Sequence, residues 1–192
     1  MDGPEVRKQR LRRQFRLKRR LALEQHPGAI VAAATAALPE LRVAGRHLGL
    51  YWPIGHEPDL RPVADQLTAM ANGLLALPAV HGGKLLYRPW RPGQPLLNDG
   101  CGIPAPPGPA ALAPAELALL LAPALAIDRR GIRLGYGGGW FDRLRSEPHW
   151  RSVPALAVAP RACLVERLPA DPWDVPFDGW LDEDGVHWLQ RV

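Results

Sequence analysis

The chain has little of several things that would classify it quickly. It carries two cysteines in 192 residues, Cys101 and Cys163. They form no metal-ligand spacing, and two cysteines are no disulfide framework. Reduced thiols in a cytoplasmic protein are expected. No apolar run reaches membrane-spanning length, because proline or charge interrupts every candidate. The basic N-terminus lacks the apolar stretch of a secretion signal, and Asp2, Glu5 and the lack of serine argue against an organelle transit segment. The Walker pattern Gly-x-x-x-x-Gly-Lys-Ser/Thr is absent, which excludes a standard P-loop NTPase. A Rossmann dinucleotide site fits poorly: the one glycine-rich run is spaced Gly-x-Gly-x-Gly and no acidic ribose partner follows at the usual distance. There are no repeats and no low-complexity tails.

What is present describes one globular domain spanning residues 1–192, with apolar residues at a normal level and 22 prolines. The net charge of +5 is unevenly placed. Nine Lys or Arg residues fall between positions 7 and 20, and from residue 21 onward 15 basic side chains face 17 acidic ones. The basicity therefore belongs to one segment, which disfavours a uniformly basic nucleic-acid surface.

Residues 6–24 read as a helix, with Leu11/Phe15 and Leu17/Leu21 at i, i+4 and Arg12, Arg16, Arg19 and Arg20 on the opposite side. Further helices are expected over 28–38, stopped by Pro39, and over 60–72, closed by Gly73. Strands are expected at 46–52, 74–77, 85–90 (an edge, because of Pro89), 117–127, 154–159 and 179–181. Residues 91–116 read as a long surface excursion, and short helices are expected at 141–145 and 161–168. Strands alternating with helices predict a three-layer α/β/α domain with a largely parallel central sheet, Rossmann-like in architecture. Ligands of such sheets bind beyond the carboxyl ends of the strands, which puts residues 52–57 and 131–142 at one rim.

The run from Gly131 to Asp142 is the most informative stretch. Four glycines stand within Gly135–Gly139, Arg133 precedes them and Asp142 follows. Bare backbone amides, a cation and a carboxylate suit a nucleotide with Mg²⁺. A tight turn between a strand and a helix explains the same glycines equally well. The charge run of the first helix likewise fits a solvated face, Trp52 a strand-end core residue, Glu57 a loop carboxylate and Asp174 a turn residue before Pro176.

Four segments read together resolve these alternatives. They are Lys8-Gln9-Arg10-Leu11-Arg12; Tyr51-Trp52-Pro53-Ile54-Gly55-His56-Glu57; Tyr87-Arg88-Pro89-Trp90 with Gly102-Ile103-Pro104; and Pro123 to Asp128 followed by Arg133-Leu134-Gly135-Tyr136-Gly137-Gly138-Gly139-Trp140-Phe141-Asp142. Their order and content resemble the 5-formyltetrahydrofolate cyclo-ligase (5,10-methenyltetrahydrofolate synthetase) family over nearly the whole chain. The resemblance implies ATP- and Mg²⁺-dependent ring closure of 5-formyltetrahydrofolate, polyglutamylated or not, to 5,10-methenyltetrahydrofolate, with ADP and phosphate released. It implies a cytoplasmic monomer with no nucleic-acid or membrane partner.

Residue by residue, the resemblance implies nucleotide contacts from Lys8, Gln9, Arg10, Leu11 and Arg12 and from Arg133, Leu134, Gly135, Tyr136, Gly137, Gly138, Gly139, Trp140 and Phe141. Trp52 and Glu57 would contact the folate, together with Tyr136 to Trp140; Tyr87 and Trp90 would wall it, with core packing the alternative for these two. Arg133, Tyr136 and Trp140 would stand at the reacting centre, and Asp142 and Asp174 would hold Mg²⁺. Gly138 departs from the Lys that many relatives carry, so Arg133 or the N-terminal basic residues must supply that charge. Trp140 replaces the commoner Tyr. The competing readings are a nucleic-acid-binding module built on the basic helix and another phosphate-binding α/β enzyme such as a sugar-phosphate isomerase.

Overall fold

A computed structural model describes residues 4–70 and 73–190. Seven strands form the central sheet in the order β12-β11-β9-β6-β1-β2-β3. They are β1 (His47–Gly49), β2 (Leu75–His81), β3 (Lys84–Trp90), β6 (Leu117–Pro123), β9 (Ala155–Val158), β11 (Gly179–Asp182) and β12 (Gly185–Trp188). The five inner strands run parallel, and β3 and β12 close the two edges as antiparallel hairpin partners of β2 and β11. A small second sheet joins β7 (Ala126–Asp128), β8 (Arg133–Leu134) and β10 (Leu164–Val165), and β4 (Leu97–Asn98) pairs β5 (Pro104–Ala105) in the excursion.

The three layers follow from the alternation of side chains along buried strands. On β6, Leu117, Leu120 and Ala122 enter one core and Leu119 and Leu121 the other. The first core is covered by Phe15 of α1 (Pro4–Gln25), Leu144 of α4 (Trp140–Ser146) and Trp150 of α5 (Pro148–Arg151). The second is covered by Ile30 and Ala34 of α2 (Ala29–Ala37) and by Val63, Ala64 and Leu67 of α3 (Arg61–Ala69). The expected layered, mostly parallel architecture is therefore what the chain forms.

Several local expectations are corrected. The apolar run 117–127 is two strands in two sheets: the ladder of β6 ends at Pro123, and β7 turns away to pair with β8 and β10. The first strand is shorter than 46–52, and β2 runs on through Pro78 to His81. Proline is tolerated there because β1 pairs only with Leu75 and Ala76, so the far side of β2 at Pro78 needs no donor. Residues 161–168 are a 3-10 turn (Arg161–Cys163) followed by β10, not a helix. The end of the expected 60–72 helix lies partly outside the described residues; α3 stops at Ala69. Strand β12 was not anticipated.

The face of α1 also differs from its hydropathy pattern. Lys8, Phe15, Arg19 and Ala22 are buried and Leu11 and Arg12 half-buried, all at i, i+3/i+4 spacing, while Leu17 and Leu21 are exposed. Three basic side chains of the helix thus point into the protein rather than at solvent.

Candidate active site

The carboxyl ends of β1, β2 and β6 open into a cavity of about 1070 Å³. Segments far apart in sequence build its walls: α1, residues 51–57, the β2–β3 hairpin with the turn at 99–103, the glycine loop 135–139, α4 and residues 168–174.

Arg133 sits at the base of the loop. Its guanidinium donates to the Pro123 carbonyl at 2.9 Å and lies 5.0 and 5.3 Å from the ring centroids of Phe141 and Phe177. Burial pushes its pKa down, with Asp142, Glu57, Tyr87 and Asp174 opposing that shift. This packing dictates Gly135, because a Cβ there would stand 2.8 Å from Arg133 Nη1. At Gly138 an added Cβ would meet the edge of the half-buried Trp140 indole at 2.8 Å.

Helix α1 is tied to the loop from the other side. Arg12 Nε donates to the Gly135 carbonyl at 3.1 Å, and its Nη1 pairs with Glu5 at 2.7 Å. The Arg12 guanidinium approaches the loop at Gly137 and that of Arg143 approaches it at Gly139. Two arginines therefore flank the segment whose position 138 lacks a lysine. Arg143 was not singled out from the sequence; it lies one turn into the helix after the loop, on the face of Trp140, 4.4 Å from its ring centroid.

Lys8 reaches across to the chain's last quarter. Its Nζ donates to Asp171 at 2.7 Å and to Asp174 at 2.6 Å. Burial works to lower its pKa, but the two carboxylates outweigh burial and the net change is upward. Asp171 is a further residue that sequence reading missed; its signal is its place three residues before Asp174, whose Oδ2 accepts from its backbone N–H at 2.8 Å. Asp142, in the first turn of α4, accepts from the Val175 N–H at 3.4 Å. Three carboxylates and one ammonium thus line this end of the cavity. Among the described residues no three His, Cys, Asp or Glu groups converge into a metal cage. Mg²⁺ needs no such cage, since it keeps water and substrate phosphates and takes one or two carboxylates. The hard oxygen donors here fit that requirement.

The opposite wall is mostly apolar, with Trp52, Ile54, Val80, Leu85 and Ile103. Trp52 is half-buried, edge-on to Trp90 at 6.4 Å, with the Arg61 guanidinium 4.8 Å from its ring centroid. Asp99 fixes the 99–103 turn by accepting from the N–H groups of Val80, Cys101 and Ile103. Glu57 is the polar exception. It is 6% exposed; its Oε2 accepts from the Ile54 N–H at 2.9 Å, but Oε1 is buried without a hydrogen-bond partner. Burial raises its pKa from 4.5 to about 7, against the lowering pull of the Ile54 amide, Arg19, Tyr136 and Arg133. A buried carboxylate on a mostly apolar cavity wall is a hydrogen-bond acceptor suited to donor groups.

A sequence profile of the 5-formyltetrahydrofolate cyclo-ligase family matches residues 4–182. The chain belongs to that family. It is 31% identical over 167 residues to the 5-formyltetrahydrofolate cyclo-ligase of Escherichia coli strain K12, spanning 83% of this chain and 91% of that protein. It is 32% identical over 145 residues to the cyclo-ligase of Mycolicibacterium smegmatis, spanning 72% and 74%. The solution structure of 5,10-methenyltetrahydrofolate synthetase from Aquifex aeolicus superposes with a TM-score of 0.73 at 26% identity, over 96% of this chain and 94% of that one. The chain is thus an enzyme of a ligase family, and the expected fold is that of its solved relatives.

The cavity of this cyclo-ligase family member collects most of the residues singled out in the sequence: Lys8, Arg12, Trp52, Glu57, Arg133 to Phe141, Asp142 and Asp174. It does not collect all of them. Gln9 and Arg10 are exposed, Leu11 packs against the core, and none of the three lines the cavity. Tyr87 and Trp90, expected to wall the folate, are core residues: Tyr87 is fully buried against Trp150, and neither reaches the cavity. Among the described residues no helix is long and apolar enough to cross a membrane.

Proposed function

We propose that this enzyme closes 5-formyltetrahydrofolate to 5,10-methenyltetrahydrofolate at the expense of ATP, in the presence of Mg²⁺. The observation that carries the proposal is the pairing, in one cavity, of an arginine-flanked glycine loop with a buried carboxylate on an apolar wall. The first suits a triphosphate and the second suits the hydrogen-bond donors of a flat heterocycle.

The formyl oxygen is a poor leaving group and becomes a good one as phosphate. In this reading the oxygen takes the γ-phosphoryl group, the folate's N10 amine attacks the activated carbon, phosphate departs and N10 loses its proton. The protein's task is to hold the two substrates in line and balance charge. Loop amides with Arg12 and Arg143 take the phosphates, and Arg133 supplies the fixed charge beneath them. Glu57 accepts from the pterin, and Trp52 and Trp140 offer flat apolar surfaces for stacking. Asp142 and Asp174 would hold Mg²⁺, which neutralises phosphate charge as the phosphoryl group moves. Lys8 braces Asp174 and Asp171 in place.

The decisive experiment mixes purified protein with 5-formyltetrahydrofolate, ATP and Mg²⁺ and follows the near-ultraviolet absorbance of the methenyl product. Product is expected only with all components; equal turnover in EDTA or without nucleotide overturns the proposal. The nucleotide half has its own probe. Arg12→Ala is expected to weaken ATP binding by about 1.5–3 kcal/mol, roughly ten- to a hundredfold. Arg20→Ala is expected to leave it unchanged, because Arg20 is exposed and paired loosely with Glu24 at 3.6 Å. Equal small losses in both, by ATP titration at fixed salt, would mean that the helix acts only as a diffuse charge field.

A further inference from the structure

Arg19 is a costly residue without an assigned task. It is 2% exposed, and among the described residues no carboxylate stands within ion-pair distance of it. A buried, unpaired guanidinium is expensive, so its hydrogen bonds are informative. Nη1 donates to the Ala124 carbonyl at 3.1 Å, just past the end of β6, and Nη2 donates to the Tyr136 hydroxyl. The guanidinium also lies 5.4 Å from the Tyr136 ring centroid, as does that of Arg16. Nε is buried without a partner.

Arginine only donates. The Tyr136 oxygen is therefore an acceptor toward Arg19, and the tyrosine's own proton must point elsewhere. Beside it lies Glu57, whose Oε1 has no donor. The charged and titratable groups facing Glu57 are Arg19 from α1, Tyr51 from the segment after β1, Arg133 from β8 and Tyr136 from the glycine loop. Tyr51 has already given its proton to the Pro58 carbonyl at 2.6 Å, and Arg133 Nη1 is held by Pro123. The Tyr136 hydroxyl faces Glu57 and acts on its carboxylate as a hydrogen-bond partner.

We infer that Arg19 is a positioning residue of the folate site: it pins the Tyr136 hydroxyl so that its proton is presented to Glu57 and the cavity, making Tyr136 and Glu57 one donor–acceptor pair that reads the pterin. The inference rests on the cyclo-ligase reading above and deepens it. A consequence concerns pH. Arg19 and the Tyr136 proton both favour the ionised form of Glu57 and pull down a pKa that burial has raised. Removing either moves the titration of Glu57 upward, and with it the acidic limb of folate recognition.

The test uses Arg19→Gln, Tyr136→Phe and the double variant. First, the Glu57 carboxyl is titrated by carbon NMR in the ligand-free protein, a readout independent of any activity. Both single variants are expected to raise its midpoint by about half to one pH unit, and Arg19→Gln to raise it less on the Tyr136→Phe background than on the wild type. Second, kcat/KM for 5-formyltetrahydrofolate is measured from pH 6 to 9. Arg19→Gln is expected to lose about five- to tenfold near pH 6.5 and to recover to within about threefold of wild type at pH 9, while Tyr136→Phe is expected to show a larger loss at low pH and to keep part of it at pH 9, where the hydroxyl's own contact with the pterin is still missing. An unmoved midpoint, or an Arg19→Gln loss that is the same at every pH, overturns the inference while leaving the cyclo-ligase reading intact. A wild type that forms no product overturns that reading, and the NMR midpoints then decide the Arg19–Tyr136–Glu57 coupling alone. Tyr136→Phe keeps the ring under both arginines and tests the proposal even where Arg19→Gln fails to fold.

Discussion

Asp142→Asn is expected to cut turnover by on the order of a hundredfold or more, with thermal stability almost unchanged. The carboxylate stands in the first turn of α4, lines the cavity, and accepts a single long hydrogen bond from Val175 at 3.4 Å. A bond of that length contributes little to the fold, and asparagine keeps an acceptor oxygen for it. What asparagine cannot keep is the charge that a hard cation and a developing phosphoryl charge both require. The measurement is kcat at limiting Mg²⁺ beside a melting curve. A variant within a few-fold of wild type would reduce Asp142 to a helix-start carboxylate favoured by the macrodipole. A large fall in melting temperature with proportionate loss of activity would make its role structural.

Glu57→Gln is expected to stabilise the free enzyme and impair it as a catalyst. A carboxyl whose pKa rises from 4.5 to about 7 on folding destabilises the native state once ionised. The sign follows from linkage. The contribution that protonated Glu57 makes to stability is complete below pH 4.5 and is lost as pH rises through 7. The loss is on the order of 3 kcal/mol by pH 8. Gln carries no such charge, so the variant is expected to melt roughly 5–10 °C above wild type at pH 8 and close to it at pH 4.5. In the proposed reaction the same change weakens the hydrogen bonds to the pterin by about 1–2 kcal/mol, raising KM for folate and not for ATP. A melting difference independent of pH would show that Glu57 is not the titrating group. A raised KM for ATP alone would reverse the map of the cavity.

Both predictions concern residues that the sequence made visible, and it is instructive which neighbours it hid. The glycine loop was legible because four glycines within five positions, with Arg133 before them and Asp142 after, stand out in the sequence itself. The parallel sheet was legible because buried strands read as apolar runs between turn signals. Arg19 was not legible: hydropathy sends arginine to solvent, and only contacts with Ala124 and Tyr136, over a hundred residues away, hold it inside. The same bias misplaced the helix face, since Leu17 and Leu21 share i, i+4 spacing as well as Leu11 and Phe15 do. The run 117–127 looked like one strand because leaving one sheet for another at Pro123 changes the partner and not the hydropathy. Strand β12 was too short for periodicity, although Asp184-Gly185 at its start is a hairpin turn signal.

The contact of Lys8 with Asp174 joins residues 166 positions apart. During synthesis the helix that carries Lys8, Arg12 and Arg19 leaves the ribosome well before the carboxylate partners of Lys8, which follow more than 160 residues later. The central strands can pair before then, but the charged end of the cavity cannot exist. A chain stopped before residue 171 would lack β11, β12 and both carboxylate partners of Lys8, and the helix face that Lys8 presents to the protein would stay unsatisfied. In the proposed reaction, competence to spend nucleotide is in this way deferred until the segment that carries Asp171 and Asp174 has been made.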